Sequence, residues 1–518
     1  MSNTADVDNE SKDAVSTYVA PAQEVENKLK NGEEDESGKK RNPYPWHVAF
    51  ILGNEVCERY SFYGMKTILS LYLKNKLLYS EKDSKLIYHI FNSLCYFTPL
   101  LGACLADQFL GKFKTILYLS CVYVAGHIIK TVGSMTSFDS IPHTELSLLG
   151  LVVIAFGTGG IKPCVSALAG DQFKLPEQER HLQRFFAIFY LSINMGSLIS
   201  TLVGPELRTI SCLGEEDCYP LAFGVPALLM FIATVIIIIG KPFYTIKPSD
   251  GIVSKSLGIL WKGLTNCCGK KGKSHQHCLD AAKESYEEEV VDEIKFLTSA
   301  KGILVLFTPL IMFWCLFDQT STTWVFQAEH MYGLKADQVQ FINPALIIIL
   351  IPVFELIIYP LLVKRNLLVK PLQRMSVGLF LAVLSFLISG ILELMIRDNP
   401  DKSLHVMWQL PQYLVMTVAE VMVSVTGLAF AYTQAAPSMK SILQACWLLT
   451  IGFGNTLTVI ITTIAGTFEN RAHGIFLYTG LMLLCSFIFS YLAWRYVPRE
   501  NIGEGKDKNK ESDYSEDI

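Results

Sequence analysis

The chain has 518 residues, 51% hydrophobic and 18% charged, with a net charge of −4 at neutral pH. Soluble chains carry about 25% charged residues, so the composition argues against a soluble enzyme; ordinary Gly and Pro counts and 13 Cys argue against a disordered chain or a disulfide scaffold. The net negative charge sits in the tails, ten acids against six bases in 1–44 and seven against four in 498–518, and no basic stripe suits nucleic acid.

Between the tails the apolar residues come in blocks, each long enough as a helix to cross roughly 30 Å of hydrocarbon. They fall near 46–73, 85–107, 113–135, 146–169, 184–205, 219–240, 302–327, 340–363, 375–396, 407–432, 442–466 and 474–497, which makes twelve. Core helices of a soluble protein with this many apolar blocks would leave too little polar surface to coat the particle. The polar first 44 residues do not read as a cleavable secretory signal. Lys39, Lys40, Arg41, Lys112, Lys114, Lys174, Arg180, Lys364, Arg365, Lys370 and Arg374 fall on one side and place both termini in the cytosol. Lys74, Lys76, Lys82 and Lys85, on the other side, run against that trend. A polar stretch at 241–301 separates two groups of six spans. The expected organisation is therefore an acidic disordered cytosolic tail (1–44), a six-helix bundle (45–240), a cytosolic linker (241–301), a second six-helix bundle (302–497) and a cytosolic tail (498–518). This all-α membrane layout is that of the major facilitator fold, which by itself says transporter and no more.

Ionisable residues inside spans carry the functional information, because a charge near the bilayer centre costs at least about 2.5–3.5 kcal/mol and so faces a cavity or a partner. The first span holds Glu55, Glu58, Arg59 and Tyr63 on one helical face, and Lys66 extends that face by a turn. The three charges Glu55, Glu58 and Arg59 leave a net of −1, which calls for a further cation or a proton. Lys162 answers that need, in Gly157-Thr158-Gly159-Gly160-Ile161-Lys162-Pro163 of the fourth span, and is expected to pair with an acid of the cluster when substrate is absent. A static ion cluster that only packs helices is the alternative reading. The second group holds Asp318, with Trp314 one turn before it, and Glu355 and Glu420. Glu420 has no basic residue near it in sequence. Cations in one half and a buried carboxylate in the other suit a zwitterion lying between them. His89 and His127 offer proton sites or simply packed hydrogen-bonding groups. Cys212 and Cys218 flank a short loop on the oxidising side and are a disulfide candidate. Cys267, Cys268, His275, His277 and Cys278 fit no standard zinc spacing, so no metal is expected.

These residues resemble a known family. Glu55-Val56-Cys57-Glu58-Arg59-Tyr60 is similar to the E-x-x-E-R-[FY] signature of the proton-coupled oligopeptide transporters. Gly102-Ala103-Cys104-Leu105-Ala106-Asp107 with Gly111-Lys112-Phe113-Lys114-Thr115 resembles that family's first signature, and Phe189-Tyr190-Leu191-Ser192-Ile193-Asn194-Met195-Gly196 its second. Gly170-Asp171-Gln172-Phe173 and Phe313-Trp314-Cys315-Leu316-Phe317-Asp318-Gln319 fit as well. The resemblance runs from about 46 to 497 and looks closest to the animal di- and tripeptide transporters.

The resemblance implies import of di- and tripeptides together with protons, with no cofactor, by a monomer in the lipid bilayer of the plasma membrane or, alternatively, the endolysosomal membrane. It implies that Arg59 and Lys162 hold the peptide carboxylate and Glu420 the amine, with Asn343 and Asn194 as polar neighbours. Tyr63, Lys66, Tyr88, Tyr190, Trp314 and Trp447 would complete the pocket, and Glu55, Glu58, His89 and Asp318 would couple protons. The sequence departs from the family at Lys66, where many members have Arg, and at Phe62, where Tyr is common. It also departs at Gly302, where animal members carry an arginine facing the acid matched here by Glu355. Residues 397–406 leave no room for the large ectodomain of intestinal-type members. Transport of histidine or nitrate, or a non-transporting nutrient sensor, is the alternative reading.

Overall fold

The structure, a computed structural model, describes residues 44–135, 142–174, 177–246, 252–268, 279–283, 285–298, 302–365, 367–399, 401, 403–434, 440–465, 468 and 470–496. The apolar blocks of the first half become α1 (Val48–Asn75), α2 (Glu81–Leu105), α3 (Lys112–Gly133), α4 (His143–Gly170), α5 (Glu179–Arg208) and α6 (Tyr219–Gly240). Ser80 starts α2 by accepting the Asp83 N–H at 3.0 Å, the usual way a serine satisfies a first-turn donor. The stretch between the halves forms two shorter helices, α7 (Ile252–Cys268) and α8 (Glu288–Thr298). Leu279, Ala282, Val291 and Ile294 from this stretch are buried in one cluster with Ile303 and Leu306, so α8 docks on the second half, while α7 touches α2 and the turn at Ala106–Leu110 in the first.

The second half is less regular. It contains α9 (Ile303–Phe317), α10 (Thr323–Ala328), α11 (Ile342–Val353), α12 (Tyr359–Lys364), α13 (Pro371–Asp398), α14 (Leu410–Glu420), α15 (Thr426–Gln434), α16 (Lys440–Ala465) and α17 (Arg471–Arg495). A 3-10 turn at Asp318–Ser321 separates α9 from α10, and π-helical turns at Phe354–Ile358 and Val421–Val425 join α11 to α12 and α14 to α15. Asp318 and Glu355 lie within these irregular turns and Glu420 directly before one, which matches the tendency of such turns to mark sites where a span must reposition a side chain.

Among the described residues, eleven helical segments have the length and apolarity to cross a membrane. The segment expected at 46–73 is a helix of 28 residues, Val48–Asn75, but Glu55, Glu58, Arg59 and Lys66 make it too polar to join that set. All the secondary structure described is helical apart from the isolated backbone bridges Cys212–Glu215 and Tyr332–His405. The protein is thus an all-α membrane protein.

In the first half α1 packs on α5 and α6, and α4 on α2 and α3; in the second α13 packs on α14 and α17, and α9 on α16 and α17. The halves meet mainly where α2 lies on α16 and α5 on α11. Glycines let α2 and α4 touch backbone to backbone: a Cβ at Gly102 would collide with the Gly160 backbone, and one at Gly159 with Thr98. That contact fixes α4 against α2 and with it the height of Lys162. Cys212 and Cys218 form the expected disulfide, with Cα atoms 5.2 Å apart. The acidic tails and His275, His277 and Cys278 lie outside the described residues.

Candidate functional site

Both acids of α1 share one cation of their own helix, Arg59. Arg59 Nε donates to Glu55 Oε1 at 2.6 Å and lies 3.2 Å from Glu58 Oε2. Both glutamates are buried, and Thr158 Oγ1 of α4 donates to Glu58 Oε1 at 3.1 Å. Lys162, one turn beyond Thr158, makes no such bond. Its Nζ is buried without a hydrogen-bond acceptor and rests 4.3 Å from the ring centres of both Phe62 and Tyr96. In this conformation the expected pairing of Lys162 with an acid of the cluster is not made. Arg59 already occupies the near oxygens, and the two rings hold the ammonium by cation–π attraction.

A second group of residues crosses between the halves. Lys66 Nζ of α1 donates to Asp318 Oδ1 at 3.2 Å, and Asn455 Nδ2 of α16 donates to Asp318 Oδ2 at 2.7 Å. Asn455 Oδ1 lies 2.8 Å from His89 Nδ1, and His89 Nε2 lies 3.1 Å from Thr322 Oγ1. Thus Lys66, His89 and Asp318, far apart in sequence, belong to one buried chain of polar contacts. Tyr88 joins it, with Lys66 Nζ 5.6 Å from its ring centre. His127 does not: it is buried within the first half, 2.9 Å from Ser61 Oγ.

The carboxylate of the second half stands differently. Glu420 Oε2 accepts from Asn343 Nδ2 at 2.8 Å, and Asn343 also donates to Thr417 at 3.2 Å. Among the described residues no cation lies within 4.0 Å of Glu420. Tyr63 lies within electrostatic reach of both Arg59 and Glu420, and Tyr190 within reach of Glu420, so these tyrosines lie between the two sets. Tyr190 is 43% exposed, and Asn194 Nδ2 is turned back to the Tyr190 carbonyl at 2.9 Å. Trp314 and Trp447 are buried against each other, ring centres 6.2 Å apart and edge to face. Glu355 is exposed in its π-helical turn and has no ion pair among the described residues; Arg374, the cation it feels, stacks on Tyr359 at 4.0 Å.

Ion pairs close one end of the seam. Arg208 holds Asp337 with two bonds of 2.9 and 3.0 Å, Lys74 holds Glu329 at 2.6 Å and Lys335 holds Glu206 at 2.6 Å. Arg471 bonds Glu81 there as well. Among the described residues, the ion pairs joining the halves lie at this clamped end or, for Lys66–Asp318, deeper on the seam.

The sequence profile of the POT family matches residues 113–477. The chain is 32% identical to solute carrier family 15 member 2 of Mus musculus, over 90% of this chain and 92% of that protein. The chain belongs to the POT family. It is 44% identical to solute carrier family 15 member 1 of Homo sapiens, over 70% of this chain and 53% of that protein. Its fold matches the crystal structure of the POT family transporter PepTSo with a TM-score of 0.75 at 29% identity, over 88% of this chain and 99% of that one. An auto inhibited POT family peptide transporter gives a TM-score of 0.73 at 30% identity, over 88% and 98% of the two chains. As a POT family member with the major facilitator fold, the protein is a membrane transporter and not an enzyme.

Sequence reasoning missed several residues of this POT family site. Asn455, which bridges Asp318 to His89, directly follows the glycines of Gly452-Phe453-Gly454-Asn455-Thr456, and a lone Asn within an apolar span is a usable signal for an interhelical bond. Thr158 and Thr322 carried no such signal, since threonine is common in spans.

Proposed function

We propose that this protein is a proton-coupled symporter that moves di- and tripeptides inward by alternating access. The observation that carries the reading is a pair of unanswered charges, one in each half: the acceptorless amine of Lys162 and the carboxylate of Glu420, which no described cation meets. A zwitterion with its charges at its two ends satisfies both at once, whereas an inorganic anion leaves Glu420 without a partner. In this reading Arg59 and Lys162 receive the peptide carboxylate, and Glu420, with Asn343 beside it, receives the amine. Tyr63, Tyr190, Asn194, Trp314 and Trp447 border the space between, and Lys66 and Tyr88 form its end toward Asp318.

Twelve spans with both termini in the cytosol place the clamped end outside, so the conformation described is closed to the outside. Coupling then runs through the groups that hold charge pairs. A proton on Glu55 or Glu58 releases Arg59 toward the substrate carboxylate. A proton on Asp318 loosens its bonds to Lys66 and Asn455, which draw the halves together, and a proton on His89 goes to Nε2 and turns that nitrogen from acceptor to donor toward Thr322 Oγ1. Two global states that differ in which charge pairs with which are what alternating access requires. The protein works as a monomer in the plasma membrane, with protons as the coupling ion and no other cofactor.

Uptake of a labelled dipeptide into vesicles at two external pH values, with and without a protonophore, tests this. Uptake should rise in acid medium and fall with the protonophore. Uptake indifferent to both removes the coupling, and absence of uptake in correctly inserted protein favours a sensor.

A further inference from the structure

His330 stands in the middle of the clamp and takes part in none of its bonds. It follows Glu329 just beyond α10. Charged groups surround it from four helices and its own loop: Lys74 at the end of α1, Glu81 and Lys85 at the start of α2, Glu393 near the end of α13, Arg471 at the start of α17, and Glu329. These six are already matched. Lys74 pairs with Glu329 at 2.6 Å, Lys85 with Glu81 at 3.1 Å, and Arg471 bonds Glu81 and lies 3.9 Å from Glu393. Glu393 also accepts from Gln327 at 2.9 Å. Of the other histidines at this end, His405 accepts the Met407 N–H at 3.1 Å, His473 in the first turn of α17 lies edge to face on Phe468, and His143 at the start of α4 has its Nδ1 3.3 Å from the Gly133 carbonyl.

The imidazole Nε2 of His330 is buried and has no hydrogen-bond partner. A neutral ring tolerates that position, because Nε2 can be the nitrogen without a proton. A charged ring does not: both nitrogens then carry N–H groups, so a donor points into a space with no acceptor, and a fourth cation joins three that are already paired. Burial, with Arg471 and Lys74 nearby, accordingly pushes His330 below the ordinary 6.5.

We propose that His330 is an external proton-binding site that unlocks the clamp: the closed clamp keeps Nε2 from water and from any acceptor and so disfavours the charged imidazole, and a proton from an acidic outside medium is bound more tightly once the clamp parts and frees that nitrogen. The proposal rests on the reading above in one respect, that the clamped end faces outside. The sign follows from linkage. A proton that binds the open state better than the closed one shifts the population toward open as pH falls. With the open state titrating at the ordinary 6.5, full exclusion of the proton from the closed state sets the upper limit: the open-to-closed ratio rises by at most about tenfold between pH 7.5 and 5.5. Acid outside would then present more outward-open transporters to substrate, independently of any proton that travels with it.

The test uses the full chain in liposomes without peptide. Spin labels at Leu78→Cys and Met407→Cys, both exposed at the clamped end on opposite halves, report the distance across it, in a background where exposed Cys121 is Ser. The parent should gain long-distance population from pH 7.5 to 5.5, by up to about tenfold. His330→Gln should lose most of that gain, and His330→Arg, with its permanent charge, should favour the long distance at both pH values. An equal gain in His330→Gln, or no gain in the parent, overturns the proposal. Because no peptide is present, these outcomes are independent of whether dipeptide uptake is found.

Discussion

The clamped end and the middle of the seam use the same residue types to opposite effect. At the clamp each charge has a counter-charge: Arg208 with Asp337, Lys74 with Glu329, Lys335 with Glu206 and Arg471 with Glu81. In the middle, Lys162 is left on two aromatic rings and Glu420 on an amide. Paired charges across a seam hold it shut, while unpaired ones are kept for something that arrives. A buried charge without a counter-charge is costly, so its presence marks a site where an incoming ligand regains that cost.

Three substitutions break or sharpen this contrast. Asp337→Asn has the largest effect: Asp337 is fully buried, and the amide leaves Arg208 with only Asp217, at 3.5 Å. The closed clamp should lose about 3 kcal/mol, read as a shift toward long distances across that end and a lower unfolding temperature in detergent. Lys162→Ala comes next. It should leave the clamp distance and the surface amount unchanged but weaken peptide binding by roughly 2–3 kcal/mol, so that dipeptide uptake per surface molecule falls to background. Wild-type uptake in this variant would remove Lys162 from the site. Glu420→Gln should be mildest, near 1–2 kcal/mol, because the amide keeps the shape and loses only the charge. Competition between free and N-acetylated dipeptides reads it: the preference for the free amine should drop about tenfold.

What was legible in the sequence was what depends on neighbours along the chain. The expected span at 219–240 coincides with Tyr219–Gly240, and the expected start at 113 lies one residue from Lys112, because apolar runs and turn residues are local signals. The face shared by Glu55, Glu58 and Arg59 follows from helical spacing, and their contacts are made as that spacing implies. Pairings over long separations were not legible. Lys66 meets Asp318 252 positions away, and Lys74 meets Glu329 255 away. The lysines that defied the charge rule show why. Lys74, Lys76 and Lys85 are answered by Glu329, Glu215 and Glu81, and Lys82 donates to the Thr463 carbonyl, so a count of basic residues in one loop could not see that they were spent. The linker helices were likewise hidden, since their apolar residues are too few for a span and are buried against the two bundles instead, α7 touching the first half and α8 the second.

The π-helical turn at Val421–Val425 bears on how this span tolerates change in length. A π turn accommodates one residue more than the α ladder would, in a helix that otherwise keeps its direction. Removing one residue from a regular α-helical span swings everything beyond it by about 100° around the axis. Here the ladder can instead close as ordinary α-helix, with α15 kept near its present phase and Glu420 still facing Asn343. The chain therefore carries, one step beyond its isolated carboxylate, a residue of slack.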